Sequence, residues 1–136
     1  PQHGQSLNTL GHLYIDMGKY PEAIAVHQKI VVAGSPYRWS LVRTLALAGR
    51  TEEARQLLAK LLQEKPAPKG SMDGWFLPEA YAALGEKDEA FRWLEAAVME
   101  RNSFIPWMRN NPRFESLRSD PRFEELVRRM KLPAGD

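Results

Sequence analysis

The sequence predicts an all-α protein of three antiparallel helical hairpins followed by short capping helices. Two observations predict this class: a Gly-x-x-x-Glu-Ala phrase occurs three times, and apolar residues flank each phrase at helical spacing. Length and composition agree, since 136 residues with 43% hydrophobic and 26% charged side chains suffice for one globular domain.

The repeated phrase predicts a tight turn between two helices. Its three copies are residues 18–23, 49–54 and 85–90. The glycine suits the left-handed position that ends a helix, and the glutamate suits the positive end of the next helix. Thr51 and Asp88 are predicted N-caps of their helices, whereas Pro21 is predicted near the first helical position of the first copy.

The apolar residues around each turn recur every three or four positions, as in amphipathic helices. They predict helices at residues 5–17, 21–33, 37–48, 52–64, 72–84 and 89–101. Residues 34–36 and 65–70 are expected to be linkers because they are rich in proline and glycine. Pro78 falls within the fifth helix, which predicts either a kink or a later helix start.

These residues resemble the tetratricopeptide repeat. The first copy has Leu7, Leu10-Gly11, Tyr14 and Ala23, the second has Leu41, Ala54 and Pro66, and the third has Leu77, Tyr81 and Ala90. The resemblance implies repeats at about residues 4–34, 35–66 and 71–102 in a right-handed superhelix. A capping extension at about 103–133 would complete a single domain that spans residues 1–136.

The same resemblance implies a concave groove lined by the first helix of each hairpin. Its register places six residues there as partner contacts: Asn8, His12, Trp39, Arg43, Trp75 and Glu79. Tryptophan and arginine often anchor interfaces, although the two tryptophans could instead fill the space between repeats. The family's clamp for a C-terminal carboxylate is not expected, because only Asn8 and Arg43 stand near suitable positions.

The resemblance implies a module that binds a protein or peptide, and the sequence gives no sign of enzymatic activity or of a cofactor. There is no cysteine, His3, His12 and His27 lack the spacing of metal ligands, and no catalytic signature occurs. The acidic pairs at 52–53 and 124–125 are expected to be solvated first-turn residues rather than catalytic dyads. No apolar run suits a membrane span, so a cytoplasmic location is expected, with the periplasm as the alternative.

The C-terminal stretch 111–130 contains two related phrases, Asn-Pro-Arg-Phe-Glu-Ser-Leu and Asp-Pro-Arg-Phe-Glu-Glu-Leu. Asn111 and Asp120 are predicted N-caps, each followed by proline. A buried stripe and two ion pairs are predicted in the second helix; the stripe is Phe123, Leu126, Val127 and Met130, and the pairs are Glu124–Arg128 and Glu125–Arg129.

The stretch therefore favours a packed cap over a nucleic-acid-binding tail. Residues 106–108, Pro-Trp-Met, are expected to pack beneath the third repeat. A structural or oligomerisation unit without a groove ligand remains an alternative, as does a nucleic-acid adaptor. The ending also resembles that of bacterial multidomain signalling proteins, and the chain starts at Pro1, so we expect a piece of such a protein.

Overall fold

The computed structural model describes residues 2–31, 36–64, 73–100 and 109–131, and these form helices and turns without a strand. The predicted all-α class is confirmed. The helices are α1 Gln2–Asp16, α2 Tyr20–Gln28, α3 Trp39–Leu47, α4 Thr51–Glu64, α5 Asp73–Ala83, α6 Lys87–Glu100, α7 Glu115–Arg118 and α8 Pro121–Lys131. Short 3-10 turns precede α3 and α7, at Pro36–Arg38 and Pro112–Phe114. The chain divides into two compact units, Pro1–Pro68 and Lys69–Asp136.

The three Gly-x-x-x-Glu-Ala phrases form the same turn, as the sequence predicts. Gly18, Gly49 and Gly85 have φ angles of 75°, 86° and 78°. At each turn the glycine amide donates a hydrogen bond to the carbonyl three residues earlier. The amide of the next residue donates to the carbonyl five residues earlier, as Lys19 does to Tyr14 at 2.8 Å. This is the Schellman arrangement, which satisfies the last carbonyl groups of a helix.

The helix after each turn starts earlier than the sequence suggested. The predicted N-caps Thr51 and Asp88 lie within the first turn, because α4 begins at Thr51 and α6 begins at Lys87. The residue directly after the glycine supplies the first helical carbonyl instead, for example Arg50, which accepts from the Ala54 amide at 3.0 Å. One residue thus both ends the Schellman arrangement and begins the next helix.

The second helix is shorter than predicted, and the fifth answers the question of where the helix with Pro78 begins. The second was predicted at 21–33 but ends at Gln28. After it, the amides of Lys29 and Ile30 donate hydrogen bonds to carbonyl groups three residues earlier in the chain instead of four. The fifth begins at Asp73 and contains Pro78 in its interior, so the later start considered for it is wrong. Proline has no amide hydrogen and therefore omits only one bond of the ladder, to the carbonyl four residues before it.

The unit Pro1–Pro68 contains two hairpins, α1/α2 and α3/α4, and α2 packs on α3. Ala23 and Ala54, which follow the two turns, are fully buried, as expected where helices cross closely. Val42 and Leu61 belong to the same core. Burial of these residues brings the first helices α1 and α3 into position to share polar contacts.

The unit Lys69–Asp136 contains the hairpin α5/α6 and the cap. The Pro112–Phe114 turn and α7 contact α5, whereas α8 contacts α6. Five described apolar side chains of the cap point inward and are at most 4% exposed: Phe114, Leu117, Phe123, Leu126 and Val127. The predicted capping role is confirmed for these residues. The side chain of Met130, which was predicted to continue this stripe, lies outside the described residues. The predictions for 34–35, 65–70 and 106–108 lie outside the described residues.

The arginines of the cap contact carboxylates in the described part of the tail. The Arg122 guanidinium forms ion pairs with Asp88 of α6 at 2.7 Å and with Asp120, the residue before α8, at 3.0 Å. Arg128 pairs with Glu125 rather than with the predicted Glu124, because positions three apart on a helix are neighbours as much as positions four apart. The other predicted pair joins Glu125 and Arg129, and the Arg129 side chain lies outside the described residues.

Candidate partner-binding surface

A buried layer of polar side chains joins α1, α2 and α3. We call it the polar layer, and its members are Asn8, His12, His27, Ser40, Arg43 and Thr44. Ser40 donates a hydrogen bond of 2.5 Å to the Asn8 side chain. Arg43 Nη1 lies 3.5 Å from His12 Nδ1. The structure therefore brings together three of the predicted groove residues, Asn8, His12 and Arg43.

His27 lies at the centre of the polar layer and is fully buried. Its Nδ1 is 2.7 Å from Thr44 Oγ1, and its Nε2 is 3.3 Å from the Asn8 carbonyl. Thr44 Oγ1 also donates to the Ser40 carbonyl at 2.9 Å. One imidazole from α2 therefore ties α1 to α3, since it contacts both helices.

Gly11 makes room for this imidazole. A Cβ atom at position 11 would stand 2.0 Å from His27 Nε2, closer than any non-bonded approach permits. The His12 ring contacts the His27 ring edge-on, with 5.3 Å between centroids. The glycine of the Leu-Gly pair thus has a packing reason, which is the histidine of the following helix.

Trp39 is a core residue. Its side chain is fully buried, and the guanidinium carbon of Arg38, itself 1% exposed, lies 4.2 Å from the ring centroid. Of the two roles that the sequence left open for this tryptophan, the structure therefore supports the filling of space. The side chain of Trp75 lies outside the described residues, although its backbone belongs to α5.

Glu79 contacts the cap of its own unit. It is 3% exposed and accepts a hydrogen bond of 2.7 Å from Asn111 Nδ2. Arg113 Nη1 lies 3.5 Å from the same carboxylate oxygen. The tail therefore provides a partner for a residue that the sequence placed in a groove.

The accessible surface beside the polar layer is formed by exposed or half-buried side chains of α1 and α3. Helical spacing places Thr9 and Asp16 next to His12, and it places Leu47 next to Arg43. Thr9 and Asp16 are exposed, Leu47 is 37% exposed and Arg43 is half-buried. We call these four residues the α1–α3 surface.

Open clefts also lie elsewhere within each unit, and two of them contain an ion pair. The first, of about 300 Å³, includes Arg50 and Glu53, which form paired hydrogen bonds of 2.6 and 2.8 Å. These bonds hold the pKa of Glu53 below its ordinary value. The second, of about 230 Å³, lies between α6 and α8 and includes the Arg122–Asp88 pair. In each of these two clefts the named arginine and carboxylate are paired with each other.

Among the described residues, no three side chains of the metal-binding types converge on one point. None of the described helices combines the length and the apolar composition that crossing a membrane requires.

Sequence reasoning missed His27, Ser40 and Thr44 as members of the polar layer. A signal for His27 was present, because it follows the buried Ala23 by four residues and so shares the inward face of α2. Asn111 was predicted as an N-cap, but its partner Glu79 stands 32 residues away in the chain. Only the fold brings those two residues together.

Comparison with family models matches the tetratricopeptide repeat twice, over residues 4–32 and 36–60. These matches cover the hairpins α1/α2 and α3/α4 nearly in full. No significant match is found among curated proteins or solved structures. Repeats of this family are protein-interaction scaffolds, and no catalytic family matches the chain. The hairpins α1/α2 and α3/α4 are therefore tetratricopeptide repeats, and the hairpin α5/α6 has the same kind of glycine turn.

Proposed function

We propose that this protein binds a peptide segment of a partner protein on the α1–α3 surface, with Arg43 as its main polar contact. The observation that carries the proposal is that the half-buried side chain of Arg43 contacts the buried His12 ring, with 3.5 Å between Nη1 and Nδ1. Arginine is among the residues that most often dominate interface energies, and a prepositioned side chain loses less entropy on binding.

The buried groove candidates act in this proposal as positioning residues. Asn8 fixes the spacing of α1 and α3 through Ser40, and His12 lies against Arg43. Trp39 fills the core below them, and Glu79 holds the cap of the other unit. Trp75 occupies the register of Trp39 in α5, and we retain it as a proposed contact of the third hairpin.

The chemistry of the surface defines the class of partner. Arg43 favours an acidic side chain, and Leu47, one turn later and 37% exposed, favours an apolar neighbour. We therefore propose a segment with an aspartate or glutamate close to a large apolar residue. A free carboxyl terminus is not required, since the family's clamp residues are largely missing from this chain.

A displayed library of random peptides tests this function. Peptides enriched on the wild-type protein should combine an acidic and an apolar residue, and Arg43→Gln should weaken their binding by at least about tenfold. Arg55→Gln, an exposed arginine of α4, is the matched control and should bind like the wild type. Equal binding by the Arg43 variant and the wild type would contradict the proposal.

A nucleic-acid adaptor is less well supported. In the described tail, four arginines already contact carboxylates: Arg113, Arg118, Arg122 and Arg128. The phenylalanines that could stack on bases are buried. Within the proposal, the wider setting is a scaffold or sensory part of a bacterial signalling protein in the cytoplasm.

A further inference from the structure

His27 is a fully buried titratable side chain near the end of a short helix. It is 0% exposed and stands next to last in α2, which ends at Gln28. The ring contacts Thr44 of α3 through Nδ1 and the Asn8 carbonyl of α1 through Nε2. Its protonation state therefore determines which hydrogen bonds can join α1 and α3 to α2.

Three close contacts run in a row through this ring. The Thr44 hydroxyl oxygen lies 2.9 Å from the Ser40 carbonyl oxygen and 2.7 Å from His27 Nδ1. On the other side of the ring, Nε2 lies 3.3 Å from the Asn8 carbonyl oxygen. Both ends of the row are carbonyl oxygens, which only accept hydrogen bonds, so the three contacts need three hydrogens.

A neutral His27 supplies too few hydrogens for this row. The Thr44 hydroxyl group provides one hydrogen and a neutral imidazole provides one more. With the ring hydrogen on Nδ1, the lone pair of Nε2 faces the Asn8 carbonyl. With the hydrogen on Nε2, one hydroxyl hydrogen must serve both Nδ1 and the Ser40 carbonyl. Only the imidazolium form, which has a hydrogen on each nitrogen, satisfies all three contacts.

The position of His27 in the last turn of α2 also favours a positive charge. Carbonyl groups at the C-terminus of a helix carry a partial negative charge, which stabilises a cationic histidine. Burial acts in the opposite direction, because it penalises the charged form of the ring. Charge-assisted hydrogen bonds at both nitrogens offset this penalty, since such bonds are about twice as strong as bonds between neutral groups.

The neighbouring His12 stands in the opposite environment. The Arg43 guanidinium, which only donates hydrogen bonds, lies 3.5 Å from His12 Nδ1, so this nitrogen must present a lone pair. The His12 ring meets the His27 ring edge-on with 5.3 Å between centroids, and two cationic rings at this distance would repel each other. The surroundings thus separate the two histidines, and they favour the proton on His27.

Other titratable groups lie on the elements around His27. They include His3, Tyr14 and Asp16 of α1, Glu22 and Lys29 of α2 and its end, and Tyr37 and Arg38 before α3. Asp16, Glu22 and Lys29 are exposed, so their charges are screened by solvent. Arg38 is buried against the Trp39 ring. Among the described residues of these elements no carboxylate is buried, so hydrogen bonds and the helix end, rather than an ion pair, stabilise the imidazolium.

From these contacts we propose that His27 is a proton-binding switch that ties α1 to α3. When the ring is protonated, it donates to the Asn8 carbonyl and to Thr44 Oγ1 at once, and all contacts of the row are made. When the proton leaves, one contact is lost and α1 is held less firmly against α3. The polar layer is therefore tightest in mildly acidic solution and loosens as pH rises.

NMR titration of the histidine ring nitrogens in the full chain tests the proton directly. The pKa of His27 should lie about one unit above the ordinary histidine value of about 6.5, whereas His12 should titrate below it. His27→Gln and His12→Gln identify the two sets of signals. A His27 ring that titrates at or below the ordinary value would overturn the proposal.

Thr44→Val tests the hydrogen count, because it removes the hydroxyl group from the row. A neutral ring with its hydrogen on Nε2 then satisfies the contact that remains, so the pKa of His27 should fall by about one unit. Thr44→Ser should restore it. Thr51→Val, at an exposed position of α4, is the matched control and should leave the His27 titration unchanged. A Thr44→Val variant with the wild-type circular dichroism spectrum and an unchanged His27 titration would overturn the proposal.

The pH dependence of stability tests whether the proton ties the helices. A folded pKa above the unfolded pKa gives stabilisation that is complete below the unfolded pKa and is lost as pH rises through the folded pKa. The unfolding equilibrium constant of the wild type, relative to that of His27→Gln, should therefore rise by about tenfold from mildly acidic to alkaline pH for a shift of one unit. A ratio that stays constant or falls would contradict the switch. No peptide is needed, so the outcome is independent of the proposed binding function.

Discussion

The side-chain amide of Asn111 donates a hydrogen bond of 2.7 Å to the buried carboxylate of Glu79. The side-chain oxygen of the same asparagine accepts a hydrogen bond of 3.0 Å from the Arg113 amide. Asn111 is therefore also the N-cap of the turn Pro112–Phe114. One side chain thus starts a helical segment and docks it on α5. The guanidinium of Arg113 lies 3.5 Å from the same carboxylate and adds charge to the contact.

Asn111→Ala should destabilise the unit Lys69–Asp136 by about 1–3 kcal/mol, because it leaves a buried acceptor without this donor and removes an N-cap. Urea unfolding followed by circular dichroism measures the change. Ser116→Ala, at an exposed position of α7, is the control and should change stability by less than about 0.5 kcal/mol. Equal effects of the two substitutions would show that the Asn111–Glu79 contact does not hold the cap.

Gly11→Ala should be more damaging than Gly18→Ala, for different physical reasons. At position 11 the new methyl group meets His27 at 2.0 Å, and overpacking of this kind costs about 1–3 kcal/mol or more. At position 18 nothing lies within 4 Å, but the φ of +75° costs about 1 kcal/mol for a residue with a Cβ atom.

Thermal unfolding of the two glycine variants and of a Gly11→Ala/His27→Ala double variant separates these causes. Removal of the imidazole should make Gly11→Ala nearly neutral in the double-variant background. It should leave the cost of Gly18→Ala unchanged. A penalty for Gly11→Ala that persists without the imidazole would contradict the packing role assigned to the Gly11–His27 approach.

Leu126→Ala should cost about 2–5 kcal/mol, as a large-to-small change at a buried site. Leu126 is 4% exposed on α8, which packs against α6. Chemical denaturation measures the loss, and Met99→Ala at a residue 68% exposed should be nearly neutral. Tolerance of Leu126→Ala would mean that the cap is not packed in solution, and the nucleic-acid role of the tail would then need new tests.

Asp120 should make the stability of the cap depend on pH. Hydrogen bonds from the Arg122 side chain, and then from the Arg122 amide, hold the pKa of Asp120 below its ordinary value. Since the folded pKa is depressed, the stabilisation is complete above the unfolded pKa and is lost as pH falls through the folded pKa.

A comparison of the wild type with Asp120→Asn isolates this contribution, because asparagine keeps the N-cap and removes the charge. The difference in their unfolding free energies should be constant near neutral pH and should disappear below the pKa of folded Asp120. Carbon-detected NMR titration gives that pKa directly. A titration at or above the ordinary aspartate value would show that the Asp120–Arg122 contact does not persist in solution.

The sequence by itself determined the hairpins, their turns and the inward face of the cap. These features depend on local rules: glycine tolerates positive φ, asparagine and aspartate cap helices, and apolar spacing marks the buried stripe. The turns at Gly18, Gly49 and Gly85 and the burial of Phe123 follow from residues within one or two helical turns.

The tertiary structure decided which polar residues have protein partners. Asn8 and Ser40 are 32 residues apart, as are Glu79 and Asn111, and no local pattern relates the members of either pair. The repeat register placed Asn8, His12, Trp39 and Glu79 along a groove, yet whether a residue at such a position faces solvent or a neighbouring helix depends on the side chains opposite it. Burial of a polar group is stable only when its hydrogen bonds are satisfied, and the folded chain alone brings those partners within reach.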